Sequence, residues 1–368
     1  MKSFVRRTRL LLAVPIVIFA VVSIVWISRP TEVDYRKRIA EAEKERRWNE
    51  ASALWYGFEG DFPQSLTASD YVRWARGELV LDRPAKAQSL LDRWKEAGDR
   101  DPEGWQLCIE LRRALGDADS VNRLVRESLR DPEARRSPGF LTVSTFGLLT
   151  VMDPVESRAR LERWAKAEPD SPLARAWILQ RSLEEVDATG QNGVETLQQA
   201  RELARIWPGD AETRRVLVEA LFVQGEYDEI RREMANWPQD DSRESTAWLR
   251  LEGRRRLEIE NDPKSAIPFL ESVVARMPQD WRSRYRLSRA LAGANRVQEA
   301  RKEATRTVEI RELLEPAGLE RILKQAFPQG KQPNPEKLNI LLRKIDHVEL
   351  AQAWDEWLVA EKLISSFR

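Results

Sequence analysis

The sequence predicts an all-α solenoid of stacked helical hairpins with a single transmembrane helix at its N-terminal end. Two observations carry this expectation. One hairpin signature recurs eight times, about every 34 residues, a period typical of two-helix solenoid repeats. Ahead of the repeats, Leu10 to Ser28 is an apolar stretch of 19 residues without a charge, long enough to cross a bilayer as a helix.

Residues 1–31 are read as a cytoplasmic stub and an uncleaved signal anchor. Pro15 lies inside the apolar stretch, a position that membrane helices tolerate better than soluble ones. Lys2, Arg6, Arg7 and Arg9 precede it, whereas Arg29, Glu32 and Asp34 follow closely. That asymmetry keeps the N-terminus in the cytoplasm and sends the repeats across, into the periplasm if the cell is bacterial. A cleaved secretory signal needs small residues before its cut site, and Trp26 and Ile27 occupy that neighbourhood.

Residues 32–314 are read as eight hairpins, at 32–65, 68–101, 102–135, 138–171, 177–210, 211–244, 247–280 and 281–314. Their second helices carry the pattern. A small residue follows the turn, larger apolar residues come four and seven positions later, and a proline closes many units. Ala51, Trp55, Phe58 and Pro63 show it, as do Ala87, Leu91 and Trp94; Ser157, Leu161, Trp164 and Pro169; Thr196, Ala200, Leu203 and Pro208; and Ala266, Leu270, Val273 and Pro278. Gly225-Glu226-Tyr227 with Ile230, Met234 and Trp237 is another case, and Asn295, Val297, Ala300 and Ala304 a further one. Val121, Val125 and Ser128 give the faintest copy. The small residue lets two helices approach, and the larger ones fill the space between neighbouring pairs. A single pair cannot bury its apolar faces alone, so neighbours must stack. Asp187 to Val194, with Gly190 and Gly193, reads as a longer loop inside the fifth unit.

Residues 315–368 are read as a degenerate ninth hairpin that caps the stack. Leu338, Leu341, Leu342 and Ile345 recur at i, i+3, i+4 and i+7, the mark of an amphipathic helix. Leu350, Ala353, Trp354, Trp357 and Leu358 then form one stripe. Exposed, the Trp354/Trp357 stripe would be a docking site, either for a partner or for a second copy of the chain.

The spacing of small, large and proline residues over 32–314 resembles the tetratricopeptide repeat family. Tyr71 with Trp74-Ala75, and Trp105 with Cys108-Ile109, approach the family's first-helix positions, although its Leu-Gly pair is nowhere intact. The resemblance implies a right-handed superhelix whose first helices line a concave face that holds other proteins. Carried over residue by residue, the groove positions include Arg36, Arg76, Arg181, Arg215, Arg255, Arg282, Tyr285 and Arg289. The last three repeats are richest. They place a pocket for an acidic segment or C-terminal carboxylate at Arg215, Arg255, Arg282 and Arg289, with Tyr285 beside them. Arginine suits that task because its planar fork binds carboxylates bidentately. The family's two-carboxylate clamp also uses Lys and Asn, and this chain does not reproduce that set.

Composition narrows the function. The 61 basic and 60 acidic residues nearly balance, which argues against nucleic acid as the main partner. Cys108 and His347 are the only residues of their types, so neither an intrachain disulfide nor a Cys/His metal cluster can form. Cys108 reads as a small buried hydrophobe, and His347 as a helix-end or solvent-exposed residue. No Gly-rich phosphate loop or nucleophile elbow is present, and no carboxylate pair stands out from a solvated helix face. No catalytic residue, cofactor or metal is therefore expected. The expected function is a membrane-tethered scaffold for assembly or quality control of envelope complexes, with a self-associating structural solenoid as the alternative.

Overall fold

In the computed structural model, residues 30–98, 101–150, 153–189, 193–237, 245–328 and 333–366 are described. The apolar stretch 10–28 lies outside them, as does Gly190 of the long loop. No helix among the described residues is long and apolar enough to cross a membrane. The described chain is all-helical, and it divides into two compact units, residues 1–67 and 68–368.

The first unit holds α1 (Glu32–Lys44), α2 (Trp48–Asp61) and a single 3-10 turn, Pro63–Ser65. Thr31 opens α1 with a capping box closed by Asp34, which satisfies backbone donors that a helix start leaves unpaired. Tyr35, Phe58 and Phe62 pack edge-on and tilted around one another, and the Tyr35 hydroxyl donates to Asp61. Arg36, one of the expected groove residues, is held inside this unit instead. It pairs with Glu32 and donates to the Ser65 carbonyl at 2.7 Å.

The second unit runs in hairpins. They are α3 (Ala68–Val80) with α4 (Pro84–Glu96), α5 (Pro102–Leu115) with α6 (Ala118–Ser128), α8 (Pro138–Leu149) with α9 (Pro154–Ala167), and α10 (Leu173–Thr189) with α11 (Val194–Ile206). Then come α12 (Ala211–Gln224) with α13 (Tyr227–Ala235), α14 (Thr246–Glu258) with α15 (Pro263–Arg276), and α16 (Trp281–Gly293) with α17 (Val297–Leu313). A five-residue helix, α7 (Pro132–Arg136), sits between α6 and α8. The chain ends in α18 (Pro316–Ala326), α19 (Pro335–Lys344) and α20 (Val348–Ser366). Helices begin at or within one residue of the expected unit starts, except at the fifth: α10 starts at Leu173, four residues before the expected Trp177.

The corner between paired helices repeats one piece of backbone chemistry. Asp82, Gly116, Gly225, Asn261, Asn295 and Asp346 all sit there with positive φ, as Arg46 does in the first unit. Gly, Asn and Asp visit that region at low cost, so these residues end one helix and reverse the chain. Asp346 makes the same corner between α19 and α20, so the C-terminal pair is built like the repeats before it.

Large side chains fill the space between hairpins. Trp74, Trp94, Trp105, Trp237 and Trp354 are essentially inaccessible. Close packing explains the small residues opposite them. The backbone of Gly104 lies directly against the Trp94 ring, which meets Trp105 edge-on at 5.2 Å.

The second unit does not stop at neighbour-to-neighbour stacking. Helix α20 packs on α6, α7 and α8 as well as on its partner α19. Phe146 of α8 also meets Phe327, just past α18, at 4.5 Å between ring centres. Residues 315–368 therefore do more than cover an end of the stack: they join the last helices to the middle of the array.

Candidate functional site

The expected groove lies on the first helices α12, α14 and α16, and the structure divides its five residues into two groups. Arg215 is 6 % exposed. Its guanidinium donates to Glu212 at 2.8 Å, Glu219 at 2.9 Å and Gln180 at 2.8 Å, and it stacks over the Trp177 ring. Burial alone would lower its pKa, but the Glu212 and Glu219 carboxylates outweigh that and hold it protonated. Arg255 is similarly engaged, donating twice to Glu252, at 2.6 and 2.8 Å, and once to Glu260 at 2.9 Å. Neither side chain is offered to an incoming carboxylate.

The remaining three residues stay accessible. Arg282, Tyr285 and Arg289 are exposed at i, i+3 and i+7 of α16, one face of that helix. Arg282 lies over the Trp281 ring at 5.0 Å, and Tyr285 is 52 % exposed. Among the described residues, no carboxylate stands within ion-pair distance of Arg282 or Arg289.

What fills the groove beside Arg215 is the chain itself. The α5–α6 corner, Gly116 to Asp119, meets the first-helix face of later repeats. The Gly116 backbone lies against the Arg181 guanidinium on α10, so closely that a side chain there would collide with it. Asp117 caps α6 through the Ser120 N–H at 2.9 Å and accepts from Arg112 at 3.2 Å. Asp119 reaches Arg250 of α14, which donates to both of its carboxylate oxygens at 2.7 and 2.9 Å. Arg250 also donates to Asp280 at 3.1 Å, and the two carboxylates raise its pKa against the effect of burial. Sequence reasoning missed Asp119 and Arg250. Their only sequence signal is an acidic residue just after a Gly-Asp corner, which many surface turns share.

The Trp354/Trp357 stripe is not a docking surface in this fold. Trp354 is fully buried, its indole N–H donating to the Thr145 hydroxyl at 3.0 Å, and Trp357 packs edge-on against it. The apolar face of α8 takes the place that a partner would have had. His347 is at a helix end, as expected, but it is buried. It shares a 2.9 Å hydrogen bond with Gln279, and burial lowers its pKa to about 4. Cys108 is buried too, and burial raises its thiol pKa to about 12, so it is an inert core residue at neutral pH. Among the described residues, no group of three or more His, Cys, Asp or Glu is placed to hold a metal.

Comparison with known proteins identifies part of this architecture. Residues 257–311, spanning α15, α16 and most of α17, match the tetratricopeptide repeat family. No match is found among curated proteins. Among solved structures the chain is similar to the human IFIT1 dimer with m7Gppp-AAAA, at 15% identity and a TM-score of 0.39, over 92% of this chain and 83% of that one. It is also similar to yeast Tom70, at 10% identity and a TM-score of 0.33, over 92% of this chain and 83% of that one.

Proposed function

We propose that this protein is a membrane-tethered scaffold that holds other proteins on the face of α16 carrying Arg282, Tyr285 and Arg289. The observation behind this reading is a contrast within one set of arginines. Arg215, Arg250 and Arg255 are bound to the chain's own carboxylates, whereas Arg282 and Arg289 are exposed and have no ion-pair partner among the described residues, in the stretch that matches the tetratricopeptide repeat family. An exposed Arg–Tyr–Arg face offers bidentate hydrogen bonding and an aromatic surface with little entropy to lose.

The tether is the uncharged stretch 10–28, and the charge asymmetry around it puts the repeats outside the cytoplasm. Confinement to a membrane raises the effective concentration of partners in the same membrane, so weak contacts suffice. Assembly or quality control of envelope complexes is the task that fits such an arrangement.

The test has two parts. The protein should stay in the membrane fraction after high-salt and carbonate washes. Proximity labelling from the C-terminus in the native cell should mark extracytoplasmic proteins, and Arg282→Glu with Arg289→Glu should deplete them while helical circular dichroism is unchanged. Recovery in the soluble fraction ends the tether, and an unchanged set of labelled proteins ends the α16 surface.

A further inference from the structure

Where α20 crosses α6 and α7, a cleft of about 490 Å³ opens, within the range of roughly 300–1000 Å³ common for ligand sites. One wall is basic, formed by Arg126, Arg130, Arg135 and Arg136. The other is α20, which contributes Glu349 and Glu356. Arg135 is satisfied by Glu356, two of its nitrogens donating to the two carboxylate oxygens at 2.6 Å. Glu349 is the carboxylate whose charge favours protonated Arg126. Four guanidinium groups thus face two carboxylates, leaving an excess of two positive charges.

Two further observations mark that excess as real. Arg130 and Arg136 are exposed, and neither has an ion-pair partner among the described residues. Among the described residues Arg126 hydrogen-bonds only the Ala275 carbonyl, at 3.5 Å, and its Nε is enclosed with no acceptor. Burial lowers the pKa of Arg126, and the nearby charges of Arg276 and Arg130 lower it further. Elsewhere in the second unit arginines of this kind have been given carboxylates, as Arg215 and Arg250 have.

We infer that this cleft binds an acidic segment of a partner protein, with two carboxylate side chains seated against Arg126, Arg130 and Arg136. The rim is open, since Glu356 remains 58% exposed, so a chain can pass along it rather than being enclosed. Each carboxylate gains charge-assisted hydrogen bonds, which are about twice as strong as neutral ones. The site is distinct from the α16 face, but it rests on the reading of the protein as a scaffold for other proteins.

The full chain in detergent micelles is titrated at low salt into a fluorescein-labelled peptide of alternating Asp and Glu, followed by anisotropy. Wild type should bind, and Arg130→Glu with Arg136→Glu should weaken binding by about tenfold or more with circular dichroism unchanged. Arg205→Glu, on an exposed part of α11 outside both surfaces, should bind as wild type does. An Asn/Gln peptide should not bind. Equal binding by the Arg130/Arg136 variant, no binding by wild type, or equal binding of the neutral peptide overturns the site. Binding of inorganic phosphate without the peptide overturns the acidic segment as occupant. The scaffold reading is judged by native neighbours of the α16 variant, without the peptide, so the two fail separately.

Discussion

Asp119 and Arg250 are 131 positions apart, yet the guanidinium of one is chelated by the carboxylate of the other. This pair joins the third hairpin of the chain to the seventh. It also occupies the face on which an acidic ligand was expected, supplying the carboxylate from within.

The first prediction concerns this pair. Asp119→Ala leaves Arg250 largely buried with Asp280 as its remaining carboxylate. Breaking a fully buried pair costs about 3–5 kcal/mol, and partial exposure here reduces that to about 2 kcal/mol. The urea midpoint should fall accordingly. Arg250→Met in the same background should cost further stability, because the largely buried Asp280 carboxylate then loses its guanidinium; recovery of stability on adding it would show that Asp280 does not hold Arg250.

The seam between α8 and α20 depends on Trp354. Trp354→Ala should cost about 3–5 kcal/mol, since a fully buried indole leaves a large cavity. Trp354→Phe keeps most of the volume and removes only the indole N–H bond, since the Thr145 hydroxyl still donates to the Leu141 carbonyl, so it should cost about 1–2 kcal/mol. Equal effects from the two substitutions, read by denaturant melts, would remove the cavity from the explanation.

His347 makes the fold acid-sensitive. Its folded pKa, about 4, lies below the ordinary 6.5, so the unfolded chain binds the extra proton first. Stability from this residue is complete above pH 6.5 and declines as pH falls toward 4. The full effect of that difference is about 3 kcal/mol. His347→Gln should lose less stability than wild type between pH 7 and pH 4.5, and identical losses would place the acid sensitivity elsewhere.

Gly104 has no room for a methyl group. A Cβ there would run into the Trp94 ring, which is fully buried and cannot swing away. Gly104→Ala should therefore destabilise by about 1–3 kcal/mol despite alanine's better helix propensity. Thermal unfolding of this variant against Gly60→Ala, where nothing lies within 4 Å, separates the clash from propensity.

The helices were legible in the sequence because their determinants are local. Ala87, Leu91 and Trp94 face inward at helical spacing, and prolines open many of the helices that follow a turn. That Arg282, Tyr285 and Arg289 share one exposed face of α16 was legible for the same reason, since one helix face needs no knowledge of its neighbours. Arg215 and Arg255 were not. Their positions on the helix are readable, but whether such an arginine meets solvent depends on which carboxylates the fold brings to it. Arg215 is taken by Glu212 and Glu219 on its own helix and by Gln180 on another. The burial of Trp354 was hidden by distance: an apolar stripe looks alike whether it meets a partner or Thr145, which lies 209 positions earlier.

The seat of α20 on α8 bears on how the protein is made. Ribosomes deliver residues in order, so Phe140 to Leu149 emerge about two hundred residues before the helix that covers them. Long-range closure of this kind is slow, and uncovered apolar surface on a partly made chain is prone to aggregate. The fold around α8 is therefore completed only after α20 has emerged, and losing that helix uncovers the apolar face it packs on.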